Sequence, residues 1–253
     1  MAPQASSAVM LAKRLIARLD VKHPQGVVKG VQMEGLRVIG EPAAVVSRYA
    51  ADADEVLYVD VVASLYQRPG SLSMIGQMAE PLWCPLTVEG GIRTLEDVRA
   101  MLRAGADKVA INTAASLALF RSIARAFGSQ CLVRSIQTIG NVVVTHGGRE
   151  RTFRWAEDVA LEAVEAGAGE ILVTAIDRDG TYRGCDVAGI RSLARLVPVP
   201  LIASGGVGTI AHVLAAFDAG ADAVAIGAAL HSNRLTLAQV KEALSAAGYP
   251  VRV

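Results

Sequence analysis

Two stretches of this chain, PLTVEGGIRTLEDVRAMLRAGADKVAINTAA (Pro85–Ala115) and PLIASGGVGTIAHVLAAFDAGADAVAIGAAL (Pro200–Leu230), align without a gap, and about half their positions are identical. The same offset superposes Glu55 on Glu170, each opening a strand-like run. The repeat therefore spans about half the chain, longer than the roughly 20 to 50 residues of solenoid repeats. Two fused half-barrels of four βα units each are the simplest fold that such a duplication builds.

Outward from the repeat, short β-branched runs alternate with helix-period segments, as expected of helices packed around a parallel sheet. The runs predict strands at Leu15–Val21, Glu55–Val62, Leu86–Glu89, Lys108–Asn112, Cys131–Gln137, Glu170–Ile176, Leu201–Ser204 and Ala223–Gly227. Eight strands in 253 residues match one α/β (β/α)₈ (TIM) barrel, which typically runs to about 250 residues. The barrel is expected to occupy residues 10–253, with residues 1–9 as a disordered extension. Thr94 is the expected N-cap of a helix over Thr94–Ala104, with Glu96 and Asp97 in its first turn and Gly105 as its stop. NVVVTHGGRERTF, after the fifth strand, reads as an inserted hairpin whose tight two-residue turn is Gly147-Gly148.

Composition narrows the function. A net charge of +1 supplies no long-range field for nucleic acid or an anionic membrane. Any anion must be held locally. No apolar stretch approaches the ~18 residues of a membrane span. Three scattered cysteines have neither disulfide-framework nor zinc-site spacing, which fits a reduced cytoplasm. The four histidines also lack metal spacing, and most are expected on loops or the surface; no metal is assigned.

In each repeat one strand ends in a glycine pair, Gly90-Gly91 or Gly205-Gly206, and the next in small residues, Asn112-Thr113 or Gly227-Ala228. Glycine lets backbone N–H groups approach an anion closely, so the set reads as two phosphate cradles at one barrel mouth; tight βα turns are the alternative. Strand-end acids are the natural proton carriers there. Asp20 closes the first strand, Asp60 lies in the second, and Asp177 and Asp179 follow the sixth in DRDGT. Asp179 with Gly180 and Thr181 also suits a turn cap, and Asp177 a pair with Arg178. Lys22 and Lys29 flank VKHPQGVVKG, read as a flexible loop over the mouth. At the opposite end Arg14, Glu55, Lys108 and Glu170 open four strands and either close into a ring of alternating charge or are unrelated surface charges.

LAKRLIARLDVK, VVKG, VEGGI, GADKVAINTAA, FGSQ, HGGRERT, GAGEIL, AIDRDGT and IASGGVG together resemble the cyclase subunits of imidazole glycerol phosphate synthase, from about Met10 to the end of the chain. The resemblance implies a cytoplasmic lyase without a cofactor. It would use ammonia from a glutaminase docked on the N-terminal face to convert a bis-phosphorylated formimino-ribulosyl aminoimidazole carboxamide into imidazole glycerol phosphate and aminoimidazole carboxamide ribotide. It also implies Asp20 as general acid/base, Asp179 beside the substrate and Lys29 as the loop lysine. One phosphate would sit on Gly91, Asn112 and Thr113, the other on Gly180, Gly206, Gly227 and Ala228. Arg14, Glu55, Lys108 and Glu170 would form the ammonia gate.

The chain departs from the family where a second catalytic aspartate is expected and Gln137 stands. A carboxamide hydrogen-bonds but does not exchange a proton at working pH. Arg18, Arg134 and Glu89 are charges expected close to the barrel interior, and Ala228 lacks the hydroxyl usual at the second phosphate. These departures leave two alternatives beside the cyclase, a diverged paralogue channelling ammonia to another phosphorylated substrate and a ligand-binding regulator of a glutaminase.

Overall fold

A computed structural model describes residues 11–252; the expected extension at residues 1–9 lies outside the described residues. The strands are β1 (Arg14–Lys22), β2 (Gly26–Val31), β3 (Glu34–Gly40), β4 (Glu55–Asp60), β5 (Leu86–Glu89), β6 (Lys108–Ile111), β7 (Leu132–Ile139), β8 (Val142–Thr145), β9 (Glu150–Trp155), β10 (Glu170–Ala175), β11 (Leu201–Ser204) and β12 (Ala223–Ile226). β1, β4, β5, β6, β7, β10, β11 and β12 pair in that order, all parallel, and β12 returns to β1 with Arg14 opposite Ala223 and Ala17 opposite Ile226. The sheet closes into an eight-stranded barrel with helices between its strands. Every expected strand is present, with ends within two residues of their expected places.

Side chains alternate across each strand. Outward residues such as Leu15, Leu19, Val56, Val88 and Val109 pack under the helices, and Ile16, Leu57, Val133, Leu172, Ile202 and Ala223 fill the barrel. The helix Leu95–Arg103 begins as its sequence predicts: Thr94 accepts from the Asp97 N–H while the Asp97 carboxylate accepts from the Thr94 N–H.

Two local expectations are corrected. VKHPQGVVKG is not a flexible loop but a β-ribbon. Val28 pairs with Asp20 and Val27 with Val21, both valines are buried, and β3 completes the sheet. Adjacent β-branched residues covered from water favour a strand over a mobile segment. At the tip of this ribbon, the Gln32 N–H donates to the Asp179 carbonyl at 2.8 Å. After β7, the tight turn is at Gly140-Asn141, between β7 and β8. His146–Arg149 instead make a wider β8–β9 turn, with positive φ at His146, Gly147 and Gly148.

Candidate active site

β1 sends Arg14, Ile16, Arg18 and Asp20 inward, and Asp20 arrives at the C-terminal mouth almost fully buried. Arg18 Nε donates to Asp20 Oδ1 at 2.9 Å and Lys29 Nζ to Oδ2 at 2.5 Å. Lys29 Nζ also donates to Asp179 Oδ2 at 2.7 Å, so one ammonium joins two carboxylates from different loops. The Arg18 guanidinium reaches across the barrel to Ser204 Oγ at 2.9 Å and Thr174 Oγ1 at 3.3 Å. Burial alone would raise the Asp20 pKa, but Arg18 and Lys29 outweigh it and hold the carboxyl well below its ordinary range.

That shift sets a sign for stability. A depressed folded-state pKa contributes stability that is complete above the ordinary value of 3.8 and lost as pH falls toward the folded value. The unfolding free-energy gap between the wild-type chain and Asp20→Asn is therefore expected to be narrower at about pH 2.5 than at about pH 6, read by urea titration at each pH.

The other candidate acids divide. Asp60 is buried and committed, accepting from the Val62 and Ala63 N–H groups at 3.1 and 3.0 Å and from Arg68 at 3.1 Å. It anchors a turn. Asp177 is exposed and makes no ion pair with Arg178 among the described residues, while Asp179 binds Lys29 instead of serving only as a cap.

Gly91, Asn112 and Thr113 line one cavity of about 280 Å³ together with Glu89 and Gln137. Asp179, Gly180, Gly206, Gly227 and Ala228 line a second, smaller one. Gly91 and Gly206 occupy equivalent places in the repeat, both at positive φ (75° and 89°). A Cβ on Gly91 would lie 2.3 Å from the Gly70 nitrogen, and one on Gly206 2.1 Å from the Gly184 carbonyl, so neither site admits a side chain. The backbone N–H groups of Gly91, Gly180 and Gly206 donate to nothing among the described residues. Unpaired N–H groups beside a cavity are donors for an anion, because buried ones are nearly always satisfied.

Gln137 is buried and lines the first cavity, and among the described residues its Oε1 has no hydrogen-bond partner; both polar atoms of the Asn112 side chain share that condition. Arg134 does not enter the barrel, which corrects its expected place. The inward residues of β7 are Val133, Ser135 and Gln137, so Arg134 faces the helix layer beside Glu162 and donates to the carbonyls of Ile111 and Asn112 at 3.1 and 2.7 Å. Burial pulls it down to about 10. It braces the strand end that carries Asn112. The histidines also differ from one another. His23 is exposed, His146 lines the first cavity, and His231 is part-buried with Nδ1 3.0 Å from the Tyr49 hydroxyl. Sequence reasoning missed the hydroxyls of Thr174 and Ser204, and missed His146. The alternation of β10 and β11 was the available signal for the hydroxyls, whereas His146 is placed by a turn that its flanking glycines did not specify.

At the barrel base the four strand-opening charges form a closed ring. Arg14 lies 2.9 Å from Glu55 and 3.2 Å from Glu170, and Lys108 lies 2.8 Å and 3.1 Å from the same two carboxylates. Thr87 Oγ1 adds a 2.6 Å hydrogen bond to Glu55. They are not unrelated surface charges.

A duplicated (β/α)₈ barrel with two glycine cradles, buried carboxylates at its C-terminal mouth and a charged ring at its base defines a class of barrel enzymes that act on small anionic substrates. Residues 14–236 match the family described as histidine biosynthesis protein, and the chain belongs to that family. It is similar to the imidazole glycerol phosphate synthase subunit HisF of Myxococcus xanthus (strain DK1622), 46% identical over 251 residues that cover 96% of this chain and 99% of that one. The subunit HisF of Thermobifida fusca (strain YX) is 46% identical over 255 residues, with the same coverage of each chain. That of Mycobacterium tuberculosis (strain ATCC 25177 / H37Ra) is 45% identical over 256 residues, covering 96% of both.

Proposed function

We propose that this chain is the cyclase subunit of imidazole glycerol phosphate synthase, a lyase that combines ammonia with a bis-phosphorylated formimino-ribulosyl aminoimidazole carboxamide. Its products are imidazole glycerol phosphate and aminoimidazole carboxamide ribotide. The observation that carries the proposal is the duplicated pair of N–H-lined cradles, one beside Gln137 and the other beside Asp179, at the mouth where Asp20 is held ionised. A substrate with a phosphate at each end meets donors at each end, and its centre lies over the carboxylates.

In this proposal Gly91, Asn112 and Thr113 hold one phosphate, and Gly180, Gly206, Gly227 and Ala228 the other. Asp20 is the base: Arg18 and Lys29 keep it ionised and so available to accept a proton in the neutral range, and its basicity rises as the substrate draws those cations away. Lys29 fixes Asp20 and Asp179 in one geometry. Gln137 lines the first cavity as a hydrogen-bonding group. Ammonia comes from a glutaminase docked on the N-terminal face, entering through the ring of Arg14, Glu55, Lys108 and Glu170.

Gln137 and Arg18 favour one second reading, delivery of ammonia to a different phosphorylated acceptor. One assay separates the two. Purified chain with saturating ammonium and the bis-phosphate is expected to release imidazole glycerol phosphate. A chain that binds the bis-phosphate yet leaves it intact points to the second acceptor.

A further inference from the structure

Glu89 closes β5 immediately before Gly90-Gly91 and points into the barrel. It is only 6% exposed. Even so it lines the same cavity as Gln137 and Asn112. Its Oε1 accepts from Ser135 Oγ at 2.9 Å, and Ser135 lies two residues before Gln137 on the inward face of β7. Its Oε2 makes no hydrogen bond among the described residues. The carboxyl group is thus tethered on one side and open to the cavity on the other.

We infer that Glu89 is a catalytic residue, the proton donor of this site, supplying from β5 the titratable carboxyl that position 137 lacks. The inference rests on the cyclase function proposed above. Its physical basis is the contrast between two buried carboxyls at one mouth. Asp20 touches two cations, whereas Glu89 forms no ion pair among the described residues.

The charges facing Glu89 are committed elsewhere. From β1, Arg18 is bonded to Asp20, Thr174 and Ser204, and Asp20 itself adds negative charge. On β7, Arg134 lies nearby but turns to the helix layer, spent on the carbonyls of Ile111 and Asn112. From β4, Asp60 is paired with Arg68. Burial accordingly pushes Glu89 above the ordinary carboxylate range, against the opposing pull of Arg18 and Ser135. One acid is held ionised while its neighbour is biased toward protonation, the separation that assigns base and acid in one site. Asp20 takes the proton released by the attacking ammonia. Glu89 gives its proton to the nitrogen that departs as the substrate C–N bond breaks; Asp20 then releases its proton to solvent and solvent returns one to Glu89, so both carboxyls end as they began.

The test is steady-state turnover with ammonium and the bis-phosphate across pH, for the wild-type chain, Glu89→Gln, Glu89→Asp, and Glu89→Gln combined with Gln137→Asp. Glu89→Gln is expected to lower kcat by about 10²- to 10⁴-fold with KM within about threefold, and to flatten the alkaline fall of the pH profile. Glu89→Asp retains part of the activity. The double variant regains at least about tenfold over Glu89→Gln, because a carboxyl has returned to the same cavity from β7. Urea titration is expected to show Glu89→Gln gaining on the wild type as pH rises above the ordinary carboxylate range, since a carboxyl whose pKa is raised by folding costs stability as it ionises. An active wild type with Glu89→Gln within about threefold of it overturns the inference alone. So does a double variant no better than Glu89→Gln, which leaves Glu89 a structural role. A wild type that leaves the bis-phosphate untouched at saturating ammonium overturns the cyclase function and this inference with it.

Discussion

Asp20→Asn is expected to lower turnover of the bis-phosphate by about 10²- to 10⁴-fold, the usual cost of losing a general acid or base. The carboxamide keeps the size of the carboxylate and one acceptor oxygen, but it takes up no proton. In the proposed site the phosphates rest on the glycine turns after β5 and β11, the ends of β6 and β12, and Gly180, none of which contains Asp20. Affinity for a substrate or product with two phosphates is therefore expected to hold within a few-fold, measured by calorimetry on the folded variant. The variant also loses stability, because Arg18 and Lys29 no longer share an anion. Breaking a buried pair typically costs about 3–5 kcal/mol, although Ser204, Thr174 and Asp179 remain to bond the two cations. Turnover within about tenfold of the wild type, in a variant shown to be folded, would remove Asp20 from the role of base.

The second large effect is at the opposite end of the barrel. Glu55→Ala is expected to destabilise the fold by about 3–5 kcal/mol in urea titration, because Glu55 is buried and is shared by Arg14, Lys108 and Thr87. Its loss leaves two cations with only Glu170 between them. Replacing the whole ring with apolar residues, Arg14→Met, Glu55→Leu, Lys108→Met and Glu170→Leu together, is expected to recover most of that loss. The desolvation cost of all four charges disappears along with their attraction. The two variants separate structure from function. If the ring is only a structural plug, the apolar version supports glutamine-driven and ammonium-driven turnover in their wild-type ratio. If it gates ammonia from a docked glutaminase, that ratio shifts while turnover with added ammonium persists.

Much of this was legible in the sequence because it depends on local or repeated patterns. The Pro85–Ala115 and Pro200–Leu230 repeat, with period-two strands and capped helices between, specified a barrel of two halves. The two glycine pairs located both cavities at the mouth, since chemically similar turns follow from chemically similar residues. The four basal charges were visible as strand openers, but which cation meets which carboxylate was not. That depends on the closure of β12 onto β1, which brings residues more than a hundred positions apart into contact.

The remainder was decided by strand register and by which way each side chain turns. Arg18 and Arg134 look alike in sequence, each inside a buried strand. Register sends Arg18 into the barrel onto Asp20 and turns Arg134 out toward the helices. Lys29 lies in a segment whose polar flanks suggest a loop, yet pairing of Val27 and Val28 with β1 carries its ammonium to Asp20 and Asp179. Sequence alone therefore determined the architecture, the duplication and the residue types available at the mouth. Only the tertiary structure decided which charges neutralise one another and which buried carboxyl at the mouth stands, among the described residues, without an ion pair. The physical reason is that pairing energies at such sites depend on ångström-scale separations and on exclusion of water, both of which exist only after the barrel has closed.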